Sequence, residues 1–231
     1  SSFDNYGIHR LVIAHNEEKI EEVLKHPIPN FTQSIILVNS PFYGGAGGKH
    51  PTATVNKASN DIAVHELGHS FGQLSDEYWA GNQYAVPGPN KSQEIDPENV
   101  PWKNWLGENG VGVYSYGATG SPAHWFRPHE FCKMQYLVAE FCSVCQEALV
   151  EKIHEKTNLI VSRSPENNQI DWSKNLHFKI KTLKPKPNTL NVEWFLNEVK
   201  IADQTDEIYL NKGLLKNGKN VLKAKVFDNT A

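Results

Sequence analysis

The chain has 231 residues, room for one large domain or two modest ones, and its 39% hydrophobic and 21% charged residues are ordinary for a globular protein. A net charge of −3 gives no electrostatic footprint for nucleic acid or an anionic membrane. No apolar run reaches the roughly 18 residues that a membrane-crossing helix needs. The chain opens Ser1-Ser2-Phe3, with no initiator Met and no leader, and stops at Asp228-Asn229-Thr230-Ala231 on what reads as a strand. The expectation is a fragment that lacks pieces at both ends.

Residues 9–14 (HRLVIA) read as a buried strand. Residues 16–26 place Ile20, Val23 and Leu24 at helical spacing among charges, an amphipathic helix with Asn16 as its cap. A second buried strand is expected at 34–39 (SIILVN), and a third at 52–56 (TATVN), on a sheet edge. Between them, four glycines fall in the five positions 44–48. The Lys-Ser/Thr of a phosphate-binding loop is missing, so this stretch reads as the flexible rim of a cleft. Strand, helix, strand, strand and then a long helix make an α/β layout.

That long helix carries His65-Glu66-Leu67-Gly68-His69. Residues four apart share a helix face, so His65 and His69 can point two imidazoles at one metal ion. Glu66, turned by about 100°, stands beside that metal and can take a proton from a bound water. Ile62, Ala63, Val64 and Leu67 are the expected buried sides, with Asn60 or Asp61 as the cap. Gly68 lets another segment come close, and Gly72 suits a sharp left-handed exit. The metzincin pattern H-E-x-x-H-x-x-G-x-x-H would put a histidine where this chain has Ser75. Asp76 is therefore the first candidate for the third ligand, Glu77 the second, and His124 and His129 distant ones.

Residues 79–131 are rich in Pro, Gly, Asn and aromatics and show little periodicity. Trp79, Trp102, Trp105 and Trp125 are expected mostly to pack this loop down rather than to line subsites. Met134, the one methionine in the chain, is placed like a methionine turn under a metal, and Tyr136 is the candidate to reach the metal or a developing oxyanion. A helix follows over 141–157. The three cysteines, Cys132, Cys142 and Cys145, favour a disulfide from Cys132 to Cys142 or Cys145 and so an oxidising compartment. A small zinc site of His129 and the three cysteines is the alternative.

Residues 162–168 (SRSPENN) read as a turn-rich linker. Beyond it, strands are expected at 177–182, 191–196, 207–210 and 220–227, the spacing of a β-sandwich with Trp194 in its core. Asn217-Gly218 is a hairpin signal.

Together, the stretch from His65 to Tyr78, the glycines at 44–48, and Cys132-x-Met134 with Phe141-Cys142-x-x-Cys145 resemble the IgA-peptidase family of bacterial metallopeptidases. The resemblance covers residues 8–157. It implies an α/β (α+β) metzincin-like zinc peptidase domain, here at 1–161, followed by a truncated all-β immunoglobulin-like sandwich at 162–231. It also implies export to the cell surface or beyond, Zn2+ on His65, His69 and Asp76, Glu66 as general base, and a protein or peptide substrate, with immunoglobulin one candidate. The expected reaction is peptide-bond hydrolysis by a metal-activated water. The rivals are an inert surface module that docks host protein or glycan, and a zinc hydrolase acting on a non-peptide amide.

Overall fold

In the computed structural model, residues 1–171 and 176–228 are described. Asn229, Thr230 and Ala231, the end of the expected last strand, lie outside them. The first helix, α1 (Glu17–Lys25), starts where its cap dictates, with Asn16 Oδ1 accepting the Lys19 N–H at 2.9 Å. It buries none of its residues. Polar ties hold it instead: Glu21 meets Lys49 Nζ at 2.7 Å and His50 Nε2 at 3.1 Å.

Three short strands follow, β1 (Ile36–Val38), β2 (Gly45–Ala46) and β3 (Thr52–Thr54), in the order β1-β3-β2. β3 is thus the central strand and not an edge, parallel to β1 and antiparallel to β2, and all its residues are buried. The alternation of TATVN misleads because a threonine hydroxyl can be buried when it finds a partner: Thr52 Oγ1 donates to the Val12 carbonyl. Residues 9–14 form no ladder. Leu11 only bridges Gly45, while Val12 is fully buried.

The helix α2 (Ser59–Ser70) begins before either expected cap. Asp61 lies in its first turn, where its carboxylate pairs with Lys133 Nζ at 3.0 Å. The buried line is Ile62, His65 and Gly68, whereas Val64 is exposed. This helix buries polar ligand-bearing positions, which a reading by apolar residues alone does not foresee.

The exit from α2 also differs from expectation. Gln73, not Gly72, takes the left-handed conformation, at φ 55°. Gly72 is needed for space, because a Cβ there would stand 2.8 Å from both the Gly68 carbonyl oxygen and Leu149 Cδ2. Gly68 is likewise a contact point, with Met134 Sδ 2.8 Å from where its Cβ would be.

The long connection after α2 has little regular structure. It holds three 3-10 turns and a two-stranded pair, β4 (Tyr114–Ser115) with β5 (Phe126–Arg127). Trp102 and Trp125 are buried. Trp102 Nε1 donates to the Gly112 carbonyl at 2.8 Å and Trp105 Nε1 to Glu147 at 2.8 Å, so these indoles pack and pin the loop as expected. The helix α3 (Ser143–Lys156) closes this core with Val144, Cys145 and Ala148.

The chain divides into two compact units, Ser1–Lys152 and Ile153–Ala231. In the second, β6 (Ile160–Ser164), β7 (His177–Thr182), β8 (Leu190–Leu196), β9 (Val199–Asp203), β10 (Glu207–Tyr209) and β11 (Leu222–Asp228) form two antiparallel sheets, β10-β7-β6 and β11-β8-β9. Ile180 and Ile208 from one sheet and Val192 and Trp194 from the other share one apolar cluster. β6 takes the start of the stretch read as a linker; it is mostly exposed, so no apolar alternation marks it. The hairpin turn falls at Asn197-Glu198, both at positive φ, joining β8 to β9. Asn217-Gly218 instead precedes β11, whose partner is β8. The chain is therefore mixed α/β, with few helices and several small sheets. No helix among the described residues is long and apolar enough to cross a membrane.

The α2 exit makes a prediction. Gly72→Ala should cost about 1–3 kcal/mol by overpacking, while Gln73→Gly should change stability by less than about 1 kcal/mol. Urea denaturation of the two variants checks this; equal losses would show that space at Gly72 does not matter.

Candidate metal centre

Two backbone carbonyls orient the helix histidines. His65 Nδ1 lies 3.0 Å from the Lys133 carbonyl oxygen, and His69 Nδ1 lies 2.8 Å from that of Leu74. A carbonyl only accepts, so each Nδ1 carries the hydrogen and donates it. In the neutral rings the Nε2 atoms then present lone pairs. These two Nε2 atoms are 3.2 Å apart, and Asp76 Oδ1 is 3.3 Å from one and 3.2 Å from the other.

Three electron-pair donors therefore face one point. Ligand atoms about 2.0–2.1 Å from a tetrahedral zinc stand about 3.3–3.4 Å from one another, so this triangle has the size of one face of such a site. Asp76 Oδ1 is buried and has no hydrogen-bond donor. The donor set fits a divalent cation, and without positive charge it would be repulsive. Burial would raise the Asp76 carboxyl, but His65 and His69 outweigh it and hold the group well below the usual carboxylate range. Burial works against the charged His69 ring too, and the Asp76 carboxylate reverses that and raises it.

Glu66 lies beside the triangle. Burial pushes its carboxyl up, and Asp76 adds to this, while His65, His69 and Arg10 pull it down. Gly47 passes close above it: a Cβ there would be 3.2 Å from Glu66 Oε2. The glycine stretch is thus partly the strand β2 and partly a rim over this carboxylate.

The segment that delivers Asp76 is clamped at almost every atom. Fully buried Asn90 accepts the Ser75 N–H at 2.8 Å and donates to the Ser75 carbonyl at 2.8 Å and to Glu77 Oε1 at 2.9 Å. The Tyr116 hydroxyl donates to the Asp76 carbonyl at 2.8 Å, and Arg127 Nη1 to the Glu77 carbonyl at 2.6 Å. The Glu77 N–H donates to the Met134 carbonyl at 2.8 Å. These bonds turn Asp76 toward the histidines and Glu77 away from them. His124 and His129 do not join the triangle among the described residues.

Met134 is fully buried against Gly68 of α2, so the methionine does lie under the helix. Tyr136 is 46% exposed; its hydroxyl accepts from Gln135 Nε2 at 3.1 Å and its ring leans on Phe131. Tyr78 stands closer to the site's charges. Burial and the Asp76 carboxylate push its phenol up to about 12, with Arg10 opposing. Arg10, Tyr78, Asn90 and Tyr116 are the residues that sequence reasoning missed. Tyr78 closes the H-E-x-x-H stretch and could have been weighed; nothing local marks the other three.

Residues 1–113 match the family model described as IgA Peptidase M64. Over these residues, just under half of the chain, the sequence is similar to the IgA peptidase M64 family. The match takes in the whole metal triangle, Glu66, Gly47, Asn90 and Arg10. M64 peptidases are metallopeptidases, and the match supports a peptidase acting on protein. No curated protein matches it.

The three cysteines lie beyond the span of the M64 match. All are buried and free, and Cys132 Sγ and Cys145 Sγ are 3.7 Å apart, so the expected disulfide is not formed.

Asn90→Ala would strip partners from the Ser75 N–H, the Ser75 carbonyl and Glu77 in a dry site. The expected loss is about 2–4 kcal/mol of stability. A thermal melt checks this, and an unchanged midpoint would mean that water replaces the amide.

Proposed function

We propose that this chain is a secreted, zinc-dependent endopeptidase. The observation that carries the reading is the triangle of His65 Nε2, His69 Nε2 and Asp76 Oδ1, each atom 3.2–3.3 Å from the others, beside a buried glutamate. Zinc held by these three atoms would supply a Lewis acid for the scissile carbonyl and for a water. Glu66 takes the proton from that water and passes it to the leaving amine. Burial raises its affinity for protons, which suits the hand-on to the amine, while His65, His69 and Arg10 oppose that rise. Gly47 leaves room over the Glu66 carboxylate for the backbone of an extended substrate. Tyr136, exposed and with its hydroxyl accepting from Gln135, is kept as the candidate for an oxyanion role; Tyr78, which interacts with both Asp76 and Arg10, helps fix the third ligand.

We assign the chemistry to residues 1–161. The two sheets around Trp194 support an immunoglobulin-like reading of residues 162–231. Immunoglobulin A is the substrate to try first, because the family carries its name. The family match does not favour the inert docking module.

Casein cleavage that stops with a chelator and returns with zinc is the expected behaviour. Glu66→Ala should keep its metal and lose at least about 100-fold in kcat. His65→Ala should lose metal and activity together. Wild-type turnover in metal-loaded Glu66→Ala would remove the general base from the scheme.

A further inference from the structure

A second cluster of ligand-type side chains lies apart from the histidines. Glu77, Cys132, Cys142 and Cys145 are all buried, and one ligand atom from each lies within 4.8 Å of every other. Glu77 is 0% exposed. Its Oε1 is 3.3 Å from Cys145 Sγ, and its Oε2 is buried without any hydrogen-bond partner. Taken as mere burial, this arrangement is costly, because a carboxylate oxygen is hidden from water with nothing to hold it.

The spacings point to the missing partner. Cys132 Sγ and Cys145 Sγ are 3.7 Å apart. A disulfide would need about 2.0 Å. Two thiolates on one tetrahedral zinc, each at about 2.3 Å, stand about 3.7–3.8 Å apart. A thiolate and a carboxylate oxygen on the same ion stand about 3.5 Å apart, against the 3.3 Å between Cys145 Sγ and Glu77 Oε1. The Cys142 N–H already donates to Cys132 Sγ at 3.4 Å, the kind of backbone bond that spreads thiolate charge.

We propose that Glu77, Cys132, Cys142 and Cys145 form a second metal site, a buried structural zinc centre of three thiolates and one carboxylate. Three soft sulfurs and one oxygen select zinc over calcium or magnesium, which prefer all-oxygen sites. Binding displaces the thiol protons to solvent, and the ion takes their place. The odd cysteine count then needs no unpaired thiol. The sequence alternative with His129 as fourth ligand gives way to Glu77, because His129 Nδ1 accepts the Phe131 N–H.

The position gives this ion a purpose. Glu77 follows Asp76, the third donor of the first site. Cys132 precedes Lys133, whose carbonyl orients His65, and Met134, which lies against Gly68. Cys142 and Cys145 bring in the start of α3. One ion ties the segment that carries Asp76 and the segment that orients His65 to the start of α3.

The test uses the full chain with His65→Ala and His69→Ala together, so that it reads the second site whatever the first one holds. Zinc is added under mild reductant and counted by elemental analysis. About one ion per chain is expected, and cobalt in its place should give a thiolate charge-transfer band in the near ultraviolet. No ion, or cobalt without that band, overturns the proposal. Zinc-edge X-ray absorption on the wild type guards against a variant that does not fold. A sulfur shell at about 2.3 Å is expected, and a shell of nitrogen and oxygen only refutes it. Glu77→Gln should weaken retention of the ion by at least about 10-fold. A wild-type chain lighter by two hydrogens, with one cysteine open to alkylation after unfolding, would show a disulfide and overturn the site.

Discussion

Two hydrogen bonds from imidazole to backbone carry the most weight in this structure. By donating Nδ1–H to the carbonyls of Lys133 and Leu74, His65 and His69 are locked in the tautomer that aims both Nε2 lone pairs at Asp76. Each carbonyl comes from a different part of the chain. Leu74 lies just past the left-handed turn at Gln73, and Lys133 lies on the loop that ends in α3. The site therefore exists only when the helix exit and the distant loop are both in place.

The loop is held by aromatic packing and buried polar bonds rather than by regular structure. Asn90, Tyr116 and Arg127 between them tie down the backbone of residues 75–77. Lys91 is almost fully buried, with its ammonium 4.6 Å from the Tyr116 ring centre and 5.6 Å from that of Trp79. Such a cation over aromatic faces is stabilised by the ring quadrupoles, and more so in a dry environment. Burying a lysine this way fixes Tyr116, and through its hydroxyl the Asp76 backbone. Polar groups that would be costly singly become positioning devices when each one is satisfied.

The glycines show a different economy. Gly68 and Gly72 sit where α2 touches Met134 and Leu149, and both are close-contact positions. The strained conformation is taken by Gln73 next door. A helix that carries the two histidines of this triangle has little room left for apolar packing. Thinning its surface with glycine lets the methionine loop come close enough for Lys133 to reach His65.

How much of this was legible depended on whether the signal was local. The H-E-x-x-H spacing, the Asn16 cap, the helix at α3 and the alternation of β7, β8 and β11 are near-neighbour patterns, so the sequence alone determined them. The same spacing put His65, Glu66 and His69 on one turn and made Asp76 the favoured third donor. Tertiary structure decided the rest. It made β3 central, moved the left-handed turn by one residue and placed the hairpin at Asn197-Glu198. It also gathered Glu77 with three cysteines up to 68 residues away, and brought Arg10 within electrostatic reach of Glu66. These outcomes depend on which segments satisfy each other's buried polar groups, and that choice is made between parts of the chain far apart in sequence. No periodicity records it.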